Sequence, residues 1–239
     1  MHRHYHKWFS PRLNRDMELL QFGHAGFPLL VFPTSMGRFF EFEDRGMVNT
    51  LRPVIEAGQL TLFCVDSVDT ESFYCKWAHP HGRIRRHQQY DEYVAQEVLP
   101  LMRQHGGTAR VGVTGCSFGA YHAVNFALRH PDMVSACAGL SGAYDIHSFL
   151  DGYYDDVCYF HCPVDSLPNN NDDWYLGQYR HDIRWVLAAG EHDICLDATR
   201  RLAGIFQSKG IPHRFDCWGY GAYHDWPLWH EMIWKYFGW

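Results

Sequence analysis

The sequence predicts an α/β fold: a mostly parallel sheet with helices on both faces, opened by a pair of antiparallel strands. Three observations carry this expectation. Short apolar runs alternate with longer stretches of helical spacing along most of the chain. Those runs, such as Pro28-Leu29-Leu30-Val31-Phe32, are continuously apolar rather than alternating, which suits strands covered on both faces. Finally, Gly115-Cys116-Ser117-Phe118-Gly119 falls where a β-branched run, Ala109 to Thr114, meets a helical one, Phe118 to Arg129.

Taken in order, Tyr5 to Ser10 and Asp16 to Phe22 are strands joined through the turn residues Pro11 to Asn14, an antiparallel start. His2, His4 and His6 share one face of the first, read as a solvent-facing edge rather than a metal site. The strand Pro28 to Phe32 ends in the polar loop Pro33 to Gly37, and Met47 to Ala57 reads as a helix. Leu60 to Val65 is a further strand, leading into a long aromatic segment, 66 to 80. Loops at strand C-termini are where α/β sheets place substrate contacts, so Tyr74 and Trp77 are candidate pocket walls.

Arg83 to Arg86 reads as a solvated helix start, and Arg86 to Gln104 carries a helical apolar face through Tyr90, Tyr93, Val94, Val98 and Leu101. Beyond the serine helix, Met133 to Leu140 and Ile183 to Ala189 are strands. Between them periodicity lapses from Asp145 to Arg180, a stretch that reads as a lid or cap inserted into one domain spanning 1–239. A helix from Leu196 to Lys209, a strand from Ile211 to Trp218, a glycine-flexible loop and an amphipathic helix from Pro227 to Phe237 complete the chain.

With 239 residues, 46% of them hydrophobic and 16% aromatic, the chain has ample material for one core. The net charge of −6 and the lack of a large basic cluster argue against a nucleic-acid partner. The N-terminal stretch has no apolar signal core and no run has the length of a membrane span, so a cytoplasmic protein is expected. Eight cysteines, mostly in apolar segments, read as reduced packing residues, and no metal or other cofactor is expected. A homo-oligomer is compatible with this composition.

Serine is a weak nucleophile at neutral pH, so Ser117 requires a base within hydrogen-bond reach and an acid to fix that base's tautomer. Gly115 and Gly119 allow the sharp turn that would expose it. Of the seventeen histidines, His224 is the one in the loop after the last strand. Asp193, at the end of the strand before it, is the acid, with Asp197 its rival; the order Ser, Asp, His is that of α/β-hydrolases. Asp225 is sterically poor as a partner for its own neighbour, and Cys116 occupies a variable position suited to packing. The oxyanion hole is expected from the backbone N–H of Phe118 and that of Ser35, with Met36 the alternative to Ser35.

Gly115 to Gly119, Gly190-Glu191-His192-Asp193 and His224-Asp225-Trp226-Pro227-Leu228-Trp229 together resemble the putative-esterase family of α/β-hydrolases, with its esterase D, feruloyl esterase, enterochelin esterase and mycolyltransferase members. The resemblance covers nearly the whole chain and implies an α/β-hydrolase fold. It implies the triad Ser117, Asp193, His224 and an oxyanion role for Thr34-Ser35-Met36, although Pro33-Thr34-Ser35 stands where the family often has a His-Gly loop. The expected function is hydrolysis of a small-molecule carboxylic ester, with a partly apolar acyl or aryl group, through an acyl-enzyme. Acyl transfer by the same triad and a non-catalytic binding protein on the same fold are the alternatives.

Overall fold

The computed structural model describes residues 1–106 and 109–238. Its strands are β1 (Arg3–Ser10), β2 (Arg15–Phe22), β3 (Phe27–Phe32), β4 (Leu60–Val65), β5 (Val111–Cys116), β6 (Val134–Leu140), β7 (Arg184–Gly190) and β8 (His213–Trp218). They form one sheet in the order β1-β2-β4-β3-β5-β6-β7-β8. The pairs β1·β2 and β2·β4 are antiparallel, and every other pair is parallel. The predicted mostly parallel sheet with an antiparallel start is therefore what the chain builds.

The helices are α1 (Glu41–Asp44), α2 (Met47–Thr50), α3 (Arg52–Glu56), α4 (Pro80–Tyr93), α5 (Leu99–Gly106), α6 (Phe118–Arg129), α7 (Asp156–Phe160), α8 (Pro163–Asn169), α9 (Asp173–His181), α10 (Leu196–Ser208) and α11 (Trp226–Phe237). Alternate strand residues face opposite ways, so the sheet separates two cores. Leu30, Phe63, Val113, Cys137 and Leu187 join side chains of α4, α5, α6 and α10 on one face. Leu29, Val31, Leu62, Ala138 and Val186 join α2, α3 and α11 on the other.

Several elements depart from the sequence expectation, each for a local reason. The single helix expected over 47–57 is split into α2 and α3, because Pro53 has no N–H to offer the carbonyl of Asn49. The helix expected to begin at Arg86 begins at Pro80, where proline's fixed φ suits a first helical position and His79 Nδ1 accepts the His81 N–H. It reaches α5 through a π-helical turn at Val94–Val98, which takes up the crowding of Pro100 against the carbonyl one turn earlier.

Arg83 is not solvated, as expected of that cluster, but 2% exposed. Its guanidinium donates to the carbonyls of Ala78 (2.8 Å) and Phe149 (2.6 Å) and to the Asp151 carboxylate, tying α4 to the segment after β6. That segment, aperiodic in sequence, folds into α7, α8 and α9. Acids scattered through it supply the caps: Asp155 accepts the Cys158 N–H (2.9 Å) and Asp172 the Trp174 N–H (2.9 Å).

The far end of α6 is clamped to α4. Asp91 accepts from His130 Nε2 (2.8 Å) and Arg129 Nε (3.2 Å). Burial pushes its carboxyl up, but the His130 hydrogen bond and the charges of His130 and Arg129 outweigh this and hold it down at about 2. Folding thus favours the ionised form, so the stabilisation is complete above the ordinary value of 3.8 and drains as pH falls toward about 2. In urea titrations the wild type is expected to lose stability between about pH 4 and pH 2 more steeply than Asp91→Asn. Parallel curves for the two proteins would refute this.

Candidate active site

The strand order reverses between β3 and β5: the chain leaves β3 for β4 on one side and β5 is laid down on the other. A crevice opens at such a switch point, outside the carboxyl ends of the two strands. The loop after β3 is Pro33 to Gly37, and the residue after β5 is Ser117.

Ser117 is held at φ 56° and ψ −122°, a conformation costly for any residue with a Cβ. Its N–H donates to Leu140 O (2.9 Å) on β6, and its carbonyl receives the Ala120 N–H (3.0 Å). The flanking glycines are required by close approach. A Cβ on Gly115 would lie 2.4 Å from the Gly119 backbone, and one on Gly119 would lie 2.5 Å from the carbonyl oxygens of Phe32 and Pro33. Without side chains at either position, α6 starts hard against β3 and β5. Phe118, first residue of α6, has no intrahelical acceptor for its N–H, which stands at the positive end of the helix dipole beside Ser117.

His224 reaches this turn because two loops are stitched together. Glu191 N–H donates to Trp218 O (2.7 Å), His192 N–H to Ala222 O (3.0 Å), and Gly221 N–H to Glu191 Oε1 (2.6 Å). A Cβ at Gly190 would lie 2.2 Å from Ala222 O, so glycine there permits the approach. The outcome is a hydrogen-bonded line: Ser117 Oγ to His224 Nε2 at 2.9 Å, and His224 Nδ1 to Asp193 Oδ1 at 2.8 Å. Asp193 Oδ1 also accepts the Cys195 N–H (2.7 Å). Burial raises the Asp193 carboxyl, the hydrogen bonds from His224, Ser141 and Cys195 lower it, and the net shift is downward.

The neighbours of this line explain the rest of the His-Asp-Trp run. Asp225 accepts the Trp226 N–H (2.7 Å) and caps α11. Trp229 stands edge-on to the His224 ring at 5.0 Å, its own N–H held by Ser141 Oγ (2.9 Å). Asp197 is 96% exposed at its side chain and pairs with Arg200. His122 is buried on α6 against Asp69, and His230 on α11 donates from Nε2 to Arg45 O (2.9 Å) and meets Thr50 Oγ1 through Nδ1, turned away from Ser117.

The loop after β3 is fixed from several directions. Thr34 gives its N–H (2.8 Å) and hydroxyl (2.7 Å) to Glu41, Ser67 Oγ donates to Gly37 O (2.8 Å), and Gly37 N–H closes a turn on Thr34 O (2.9 Å). Met36 has φ 57°, and its N–H is bound to Asp69 Oδ2 (3.0 Å). Tyr74 donates its hydroxyl to Ser35 Oγ (2.7 Å) and packs edge-on against Phe118 at 5.6 Å. Trp77 is 91% exposed and stands apart from this packing. Asp69, which joins Met36 to His122 (3.0 Å), carries no signal in the sequence, where it is one of several acids in an irregular loop.

All eight cysteines are free thiols, seven of them buried. Burial pushes Cys195, close to Asp193, up to about 12, so at neutral pH it is an uncharged neighbour.

This sheet, with a strained serine at its switch point, is that of an α/β-hydrolase enzyme of the carboxylesterase type. The chain belongs to the family described as "Putative esterase", whose model matches residues 54–237. No curated protein matches the sequence. Among solved structures it is similar to a ferulic acid esterase, with 18% identity, a TM-score of 0.78 and coverage of 98% of this chain and 95% of that one. It is also similar to an S-formylglutathione hydrolase from Agrobacterium tumefaciens (15%, TM-score 0.76, coverage 99% and 93%). A third is the S-formylglutathione hydrolase of Staphylococcus aureus (18%, TM-score 0.71, coverage 100% and 96%). At such identities the likeness is one of fold. Among the described residues no helix is long and apolar enough to cross a membrane.

Proposed function

We propose that this esterase hydrolyses a small-molecule carboxylic ester through an acyl-enzyme on Ser117, with His224 as general base and Asp193 as the acid that orients it. The observation that carries the reading is the continuous hydrogen-bonded line from Asp193 through His224 to Ser117. With Nδ1–H donated to Asp193, Nε2 faces Ser117 as an acceptor and takes its proton as Oγ attacks the carbonyl. The same nitrogen then protonates the leaving alcohol, and water activated by His224 releases the acid. The oxyanion forms between the Phe118 N–H and that of Ser35. The engagement of the Met36 N–H by Asp69 supports Ser35 as the second donor.

The reading includes one domain over 1–239, with 145–180 as a cap insertion, and Tyr74 as a wall of the site. Labelling with a fluorophosphonate, followed by peptide mass analysis, is expected to place the adduct on Ser117 and nowhere else. A folded, unlabelled protein would count against an active nucleophile.

Asp69 enters as a positioning residue. It holds Met36 in a left-handed conformation, and that turn sets the direction of the preceding N–H. Asp69→Ala is expected to lower kcat on a short-chain aryl ester by about 10- to 100-fold with KM nearly unchanged, since the interaction it supports is made in the transition state. Asp69→Asn keeps an acceptor for the Met36 N–H and should recover part of the loss. A KM effect of the same size, with kcat intact, would mean that the loop serves substrate binding instead.

A further inference from the structure

The segment from α7 to α9 does more than cover α6. With the C-terminal half of α6 it forms an open-mouthed cavity of about 530 Å³ whose lining includes neither Ser117, His224 nor Asp193. Its α6 wall, Asn125 to Arg129, lies eight to twelve residues beyond Ser117, roughly 12–18 Å along the helix axis. Its size is that of a small-molecule site rather than a packing defect.

We propose that this cavity is an accessory site for a neutral oligosaccharide. The lining brings together two chemistries. Tyr159, Phe160 and Tyr175 supply aromatic rings, and Asn125 with the run Asn169-Asn170-Asn171 supplies amides. The amides are held in place: Asn169 Nδ2 donates to Asp165 O (3.0 Å), Asn170 Oδ1 accepts the Asp172 N–H (3.0 Å), Asn171 Oδ1 accepts from Lys209 (2.9 Å) while its Nδ2 donates to Asn169 O (3.4 Å), and Asn125 Nδ2 is engaged by His161 Nδ1 (3.1 Å) and His87 Nε2 (3.4 Å). Each bond uses part of an amide's capacity, which comprises two donors and two acceptor lone pairs.

Other ligand classes fit less well. Arg129 is the one cation of the lining, and its guanidinium is bound to Asp91 (3.2 Å) and Phe160 O (3.4 Å), which disfavours an anion. Asp172 is the one carboxylate, and its Oδ1 caps α9, which disfavours a cation. A wholly apolar ligand would strip water from the amides without replacing it. A flat base sandwiched between two rings would need them parallel, whereas Tyr159 and Phe160 meet at 77° and Tyr175 and Tyr179 at 47°; a base stacked on one ring is left to the adenosine arm of the test below. A sugar ring presents its C–H face to a single aromatic ring and its hydroxyls to planar amides, and so matches both parts of the lining.

The test is calorimetric titration of the full chain with neutral tetrasaccharides of the xylo, cello, malto and manno series, and with adenosine. At least one saccharide is expected to bind at millimolar concentration or below. Tyr159→Ala, Tyr175→Ala and the exposed-loop change Asn169→Ala should each weaken it, the tyrosine variants by about tenfold. Hydrolysis of p-nitrophenyl acetate should be the same in all three as in wild type, which also reports that they fold. Binding should survive Ser117→Ala and fluorophosphonate treatment unchanged. No binding of any saccharide, binding abolished by the fluorophosphonate, wild-type affinity in all three variants, or tighter binding of adenosine would each overturn the proposal.

Discussion

Ser117→Ala is expected to lower kcat on an activated ester by about 10⁶-fold, with the fold intact. The size reflects the roles in the line: without Oγ there is no acyl-enzyme to form, and His224 is left with only water to activate. What survives is the contribution of the oxyanion donors, on the order of 10³- to 10⁴-fold over the uncatalysed rate. Cys116, next in the chain, cannot substitute, because it is 3% exposed and burial pushes its thiol well above the ordinary range. The backbone offers an independent check. At φ 56° a residue with a Cβ stores about 1–3 kcal/mol of strain, whereas glycine does not. Ser117→Gly should therefore be as inactive as Ser117→Ala and yet at least as stable as wild type, since relieved strain offsets the roughly 0.5–1 kcal/mol of added chain entropy. Residual hydrolysis within about tenfold of wild type in either variant would remove Ser117 from the mechanism.

The sequence is most informative where geometry leaves few choices. Gly115 and Gly119 are legible because a Cβ at either position collides with backbone, so the motif records a steric requirement. The pairing of Asp193 with His224 is legible from strand ends alone, since parallel strands deliver successive loops to one edge. Asp69 and Glu41 are not, because each acts on the β3 loop through a partner that only the fold brings near. Arg83 escapes a sequence reading for a related reason. A run of arginines looks solvated until the carbonyls of Ala78 and Phe149 and the carboxylate of Asp151 are placed around one of them. Similarly, the irregular stretch 145–180 hides three short helices. The start signals of α7 and α9 are single aspartates, and an aspartate caps a helix only if the next turn of chain adopts one.

Asp193→Ala is expected to lower kcat by about 10⁴-fold with a much smaller change in KM. The carboxylate has two separable jobs, and the geometry indicates how to divide them. It fixes the tautomer by accepting Nδ1–H, and its charge steadies the imidazolium that forms when Nε2 takes the proton from Ser117. The hydrogen bonds from His224 Nδ1 (2.8 Å) and from the Cys195 N–H (2.7 Å) arrive at the same oxygen, Oδ1, and the Ser141 side chain is a further partner of the carboxylate. An asparagine can therefore keep its own Oδ1 at that point, preserve the tautomer and lose only the charge. Asp193→Asn should fall between wild type and Asp193→Ala in kcat, and the gap between the two variants measures what orientation alone contributes. Asp197→Ala, altering a carboxylate 96% exposed on α10, should remain near wild type. If Asp197→Ala were the crippled variant and Asp193→Ala the active one, the acid would be Asp197. If both stayed active, His224 would have to work without an acid, and the downward shift of the Asp193 carboxyl would reflect a structural contact alone.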